Sequence, residues 1–128
     1  MRILLDTHML LWFLNDPLML PKKADELIFD ANNLVFVSSI SLWEIAIKTA
    51  LGKLELNTEI TELESVCERS NLILMSFQAA HAIAVTNLVQ HHKDPFDRAL
   101  VAQAQLEQMI LLTHDTALAA YGSAVVLV

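Results

Sequence analysis

Ile3-Leu4-Leu5-Asp6-Thr7-His8 sets the pattern of the fold: three apolar residues, an acid, and then a run from Met9 to Leu14 that is apolar at every position. A short apolar run closed by a polar residue reads as a strand, and residues 7–14 read as the helix that follows it. The same alternation recurs to the end of the chain. Strands are predicted at 3–5, 34–37, 72–75, 109–112 and 124–127, and helices at 7–14, 22–31, 42–51, 58–70, 79–91 and 95–108. Strands that alternate with helical patterns predict an α/β domain with a mainly parallel sheet. Asp16-Pro17 and Leu20-Pro21 break the first helical region, because a residue before proline is pushed out of the helical conformation. Gly52, after Leu51, fits the position just beyond a helix end.

The chain has 128 residues, 55% of them apolar and only two of them glycine, which suits one compact, helix-rich domain. Its single cysteine, Cys67, excludes an internal disulfide and reads as a buried thiol beside Leu63 and Val66. Asp6 interrupts the N-terminal apolar stretch, so no signal-peptide core is present. The longest apolar run, residues 9–14, falls far short of the ~20 that span a bilayer. A soluble, cytoplasmic protein without membrane attachment is expected. The net charge of −7 runs against a nucleic-acid partner at first sight. However, Glu55, Glu59, Glu62, Glu64 and Glu68 are clustered, and outside that stretch ten acids face seven bases. Charge therefore decides little.

Four acids stand at four strand–helix junctions. Asp6 follows the first strand, Glu44 lies in the first turn of the predicted 42–51 helix, Asp97 lies in the first turn of the helix opened by Asp94-Pro95, and Asp115 follows the fourth strand. In an open parallel sheet the carboxyl ends of the strands and the adjoining helix starts form the ligand crevice. Carboxylates converging there repel one another unless they hold cations, and an all-oxygen set favours Mg²⁺ or Mn²⁺. Such ions serve phosphodiester cleavage.

Each acid also has a purely structural reading. Asp6 and Asp115 can cap helices, Ser41-Leu42-Trp43-Glu44 fits a capping box, and Glu44 can pair with Lys48 one turn on. Asp94-Pro95-Phe96-Asp97 fits a cap, a first-position proline and a favourable first-turn acid. Asp97 is the least well explained by structure alone. Asp94 already supplies the cap, and Asp97 shares its helix face with Leu100, Val101 and Ala104, where a lone carboxylate is costly to bury.

Four segments together resemble PIN domains of the VapC type in order and spacing. They are Leu4-Leu5-Asp6-Thr7-His8; Ser41-Leu42-Trp43-Glu44-Ile45-Ala46-Ile47-Lys48; Asp94-Pro95-Phe96-Asp97-Arg98 with Ala102-Gln103-Ala104; and Thr113-His114-Asp115. The second and third are specific as a pair, and the likeness spans essentially the whole chain. It implies one PIN-like domain over residues 1–128, with a five-stranded sheet of order 3-2-1-4-5 flanked by helices. It also implies Mg²⁺- or Mn²⁺-dependent endoribonuclease activity, as the toxin of a toxin–antitoxin pair. On this reading Asp6, Glu44, Asp97 and Asp115 are catalytic and hold the metal. Thr7 and Thr113 orient carboxylates or water, with Ser38 or Ser39 in a similar place. The implied partners are RNA, a cognate antitoxin whose tail covers the site, and a second copy of the chain.

Other residues carry weaker signals. Lys48, Lys53, Lys93 and Arg98 are the bases near the crevice, Lys48 and Arg98 being the candidates for RNA phosphate contacts. His8 and His114 also fall beside it, whereas His91 and His92, placed on the predicted 79–91 helix and its end, point apart and make a poor metal site. His81 reads as an ordinary helix-face residue. A haloacid-dehalogenase-type phosphohydrolase would want a second Asp where His8 stands, and a response-regulator receiver a pair of acids at the first strand and a lysine after the last. The remaining alternatives are a non-catalytic PIN-like binding module and a housekeeping PIN nuclease with no toxin role.

Overall fold

The computed structural model describes residues Met1–Val128. Five strands, β1 (Arg2–Leu5), β2 (Leu34–Ser38), β3 (Ile73–Met75), β4 (Ile110–Thr113) and β5 (Val125–Leu127), form one sheet in the order β3-β2-β1-β4-β5. Every pairing is parallel. This is the order that the resemblance implies. The helices are α1 (Thr7–Asn15), α2 (Lys22–Ile28), α3 (Ser39–Ala50), α4 (Leu63–Arg69), α5 (Ala79–Ala84) and α6 (Pro95–Leu106). None is long and apolar enough to cross a membrane.

The central strand explains the run that opens the sequence. Ile3, Leu4 and Leu5 are all fully buried, because helices cover both faces of the sheet. Side chains alternate across a strand, so Ile3 and Leu5 join a core with Met9, Val35, Val37 and Cys67. Leu4 enters the opposite core with Leu100, Val101, Leu111 and Leu118. Truncating Leu4 to Ala is expected to cost about 2–5 kcal/mol, with a cavity left behind. Cys67 lies in the first of these cores, and burial pushes its thiol up to about 11, so it is inert at neutral pH.

Two helices differ from expectation in ways that bear on the site. α3 begins at Ser39 instead of residue 42, because Ser38, at the end of β2, caps it by accepting the Ile40 N–H. The capping box proposed for Ser41 and Glu44 is therefore absent, and Glu44 sits in the second turn. α5 ends at Ala84 instead of running to residue 91. Val85-Thr86-Asn87 continues only as a 3₁₀ turn, with the Thr86 hydroxyl donating to the Ile83 carbonyl. β-Branched residues and Asn favour that local alternative over helix. His91, His92 and Lys93 consequently lie in an extended loop. The predicted 58–70 helix is shorter as well, a 3₁₀ turn at Ile60–Glu62 leading into α4, and its four glutamates are exposed. At the end of α3, Gly52 adopts φ +71 and its N–H reaches the Thr49 carbonyl while Lys53 N–H reaches Lys48, the helix stop expected for that glycine.

β1 lies between β2 and β4, where the direction of the crossovers reverses. That reversal opens a crevice at the carboxyl ends of β1 and β4. Asp6 leaves β1 at this point, and Thr113 ends β4.

Candidate active site

Asp6 is fixed from two directions. Its Oδ1 accepts the Met9 N–H at 2.8 Å, capping α1, and its Oδ2 accepts the Thr113 hydroxyl at 2.5 Å. The same Thr113 oxygen accepts the Asp115 N–H at 3.0 Å, so one hydroxyl ties together the ends of β1 and β4. Asp115 in turn caps the following 3₁₀ segment (Thr116–Tyr121) through the Ala117 N–H. The capping and site readings are thus not rivals for these residues: one oxygen caps while the carboxylate still faces the crevice.

The crevice is a cavity of about 350 Å³. Asp6, Glu44, Asp97 and Asp115 all line it, together with Asp94. Thr7 and Lys48 also line it, whereas Thr113 is fully buried behind Asp6. Thr7 donates its hydroxyl to Ser41 Oγ at 3.0 Å, joining the start of α1 to α3. Ser41 was not among the expected site residues; it was assigned the cap that Ser38 provides. Asp94 caps α6 as expected, accepting the Phe96 and Asp97 N–H groups on Oδ1.

The electrostatics are strained by like charge. Burial raises the Asp6 carboxyl above its ordinary value, against the lowering effect of its bonds from Thr113 and Met9. Asp97 is pushed up to about 7, first by burial and then by the neighbouring Asp94, Asp6 and Glu44, with His92 opposing. Glu44 is 5% exposed. Its Oε2 pairs with Lys48 Nζ at 2.5 Å, a bond that raises the lysine's affinity for its proton. Its Oε1 is buried without any hydrogen-bond partner. Buried acceptors are satisfied in the great majority of proteins, and an unpaired carboxylate oxygen is among the most costly exceptions. The donor set is oxygen-rich, charged and incomplete, and it fits a hard divalent cation.

His92 is the residue that the sequence reading missed. Its Nε2 lies 3.1 Å from Asp97 Oδ2 and 3.3 Å from Asp115 Oδ2. Nδ1 accepts the Lys93 N–H at 3.0 Å, which places a proton on Nε2, directed at both carboxylates. The ring is held further by the His92 N–H, which donates to the Tyr121 hydroxyl. The available signal was Asp94-Pro95: a capping residue held extended by the following proline leaves the preceding residues in a loop. Arg98 stands apart from the cavity, its guanidinium reaching the Val85 carbonyl at 3.4 Å. His81, read as a helix-face residue, is 1% exposed and lies well inside the fold.

The PIN domain family model matches residues 3–123. The chain belongs to the PIN domain family. Among solved structures, the chain is similar to VapBC2 from Rickettsia felis, bound to a DNA fragment from its promoter. That match has 19% identity and a TM-score of 0.68, and it covers 99% of this chain and 97% of that one. VapBC-1 from nontypeable Haemophilus influenzae matches at 18% identity and a TM-score of 0.66, over 94% and 92% of the two chains. FitAcB from Neisseria gonorrhoeae matches at 20% identity and 0.58, over 96% and 95%. At these identities the likeness is one of fold. Comparison with curated protein sequences gives no match.

Proposed function

We propose that this PIN domain is a divalent-cation-dependent endoribonuclease, acting as the toxin of a toxin–antitoxin pair in the cytoplasm. The observation that carries the reading is Glu44 Oε1, a buried, unpartnered carboxylate oxygen on a residue that lines the cavity with Asp6, Asp97 and Asp115. Those four carboxylates would hold Mg²⁺ or Mn²⁺, which when bound would supply an activated water and stabilise the leaving oxygen of a phosphodiester. The chain's own residues orient this chemistry. Thr113 aligns Asp6 with the Asp115 backbone, Thr7 anchors the start of α1 to Ser41, and Lys48 holds one Glu44 oxygen while the other is left unpartnered. Lys48 also offers the cavity a positive group for a substrate phosphate, whereas Arg98 contributes only from outside it.

The partner half of the proposal rests on the fold neighbours, one of which is solved as a toxin–antitoxin complex from Klebsiella pneumoniae. An antitoxin segment with a basic side chain would neutralise the crevice in place of cations. A second copy of the chain has apolar surface to cover at Trp43, Ile83 and Val89, which are 59%, 69% and 65% exposed.

The test is cleavage of single-stranded or loop RNA by purified protein with Mg²⁺ or Mn²⁺. Cutting that stops in EDTA and in Asp6→Asn is expected, and full activity in EDTA would falsify the metal reading. Growth arrest on expression, relieved by a small co-encoded protein, is expected of a toxin. Harmless expression of folded, cleaving protein leaves a housekeeping nuclease instead.

A further inference from the structure

The cavity has a second side that the carboxylates do not use. Thr7, His8, Leu11 and Trp12 lie on one face of α1, and Leu11 and Trp12 are its only apolar lining residues. His8 meets Trp12 edge-on at 4.5 Å between ring centroids, and His114, from the end of β4, meets it at 5.4 Å. The indole is half-buried while both imidazoles are exposed. Each histidine is one or two residues from a carboxylate of the site, in Asp6-Thr7-His8 and in His114-Asp115. The same two strand ends therefore deliver an acid and an aromatic ring together.

Charge says what this wall must supply. The chain carries −7, and the five carboxylates lining the cavity face a single lysine that is already paired with Glu44. Phosphate contacts, the usual source of affinity for nucleic acid, are therefore few. Unpaired bases stack on aromatic side chains irrespective of net charge, with substantial affinity per base. We propose that Trp12, with His8 and His114, forms a stacking wall for an unpaired nucleobase adjoining the phosphodiester held at the carboxylates. This inference rests on the nuclease reading above and adds to it the recognition of single-stranded RNA by base stacking.

The wall can be tested apart from catalysis. Trp12 and Trp43 are the two tryptophans, so Trp43→Phe leaves Trp12 as the sole indole reporter. In that protein, with Mg²⁺, adenosine 5′-monophosphate is expected to quench Trp12 fluorescence saturably, and ribose 5-phosphate is not. His114→Ala should weaken the nucleotide's effect several-fold. In cleavage assays Trp12→Leu should lower kcat/KM about 10-fold, mainly through KM, with Trp12→Phe restoring most of it. An RNA lacking the base beside the cleaved bond should suffer a similar loss with the wild type and none with Trp12→Leu. Binding should weaken only shallowly with salt, since few counterions are released. Equal quenching by nucleotide and ribose phosphate, or equal loss on base removal in wild type and Trp12→Leu, overturns the wall. Quenching by nucleotide without any RNA cleavage overturns the nuclease reading and leaves the wall standing.

Discussion

Helix α6 borders two polar clusters, and they are built on opposite plans. Near its middle and end, Gln103 is fully buried and Glu107 caps the helix beside the buried His81. There His81 Nδ1 accepts the Gln78 N–H at 2.9 Å, Nε2 meets Glu107 Oε1 at 2.8 Å, and Gln103 donates to the Ser76 carbonyl. Only the neutral Gln103 Oε1 goes without a partner. At the start of the same helix, Asp97 stands among Asp6, Glu44 and Asp94, and their mutual repulsion adds to burial in holding its proton. The first cluster joins unlike groups, and its one unpartnered atom is a neutral amide oxygen. The second gathers like charges and leaves an acidic oxygen bare. A polar cluster that serves the fold is closed, whereas one that serves a ligand is left open.

Substitution should separate the two plans most sharply in activity. Asp97→Asn or Asp6→Asn is expected to reduce metal-dependent RNA cleavage by a factor of at least about 1,000, given the several kcal/mol that bound metal supplies to the transition state. Circular dichroism should show an unchanged fold. His81→Leu should leave cleavage per folded molecule untouched. Loss of catalysis from His81→Leu in stably folded protein, or its retention in Asp97→Asn, would break the contrast.

Stability should report the reverse. Gln78 N–H and Glu107 lose their shared partner in His81→Leu, which should cost about 1–3 kcal/mol in denaturant melts. Asp97→Asn should instead stabilise metal-free protein, in a manner that depends on pH. The unfolded chain releases the Asp97 proton near its ordinary 3.8, whereas the folded chain keeps it to about 7. Between those values the unfolded state binds fewer protons, so this group lowers stability as pH rises and its effect levels off above about 7. Melts in EDTA should therefore show little gain for Asp97→Asn near pH 4 and the full gain at pH 8. For a domain of this size each kcal/mol relieved raises Tm by about 4 °C. Added Mg²⁺ should stabilise the wild type more than the variant. A gain independent of pH would show that repulsion is not what Asn relieves.

The smallest effect concerns His92, whose Nε2 proton is directed at the Asp97 and Asp115 oxygens that a cation would use. Removing it in His92→Ala should lower Tm in EDTA by a few degrees, about what the loss of one hydrogen bond to a charged group implies. The same change should tighten Mg²⁺ binding several-fold by calorimetry, because the imidazole no longer competes. Weaker Mg²⁺ binding would make His92 an aid to the metal instead of its rival.

The sheet was legible because buried parallel strands are written as short unbroken apolar runs. The acids after β1 and β4 could be placed from those runs, and Asp97 from the Asp94-Pro95 helix start. Serine chemistry was less legible. Ser38, Ser39 and Ser41 can each cap a helix, and the choice of Ser38 follows from where β2 ends in the sheet. Only then is Ser41 free to accept the Thr7 hydroxyl. His92 escaped because its role depends on a chain path. The stretch after Ala84 has helical apolar spacing, and Thr86 with Asn87 ends the helix locally, releasing the loop that brings His92 back to Asp97 and Asp115. Long-range closure of that kind has no signature in a window of sequence.

The hydroxyl of Thr113 also bears on how the molecule comes into being. Its bond to Asp6 spans 107 residues, one of the longest separations in the fold. Contacts so distant along the chain form only after much of the loop-closure entropy between them has been lost. During synthesis Asp6 emerges early and must wait for Thr113 and Asp115 before the crevice exists. A nascent chain with β1, α1 and even α3 in place therefore carries no complete carboxylate cluster. For the nuclease proposed above, which would attack RNA while still tethered to RNA-rich machinery, that delay is a built-in safeguard written into strand order.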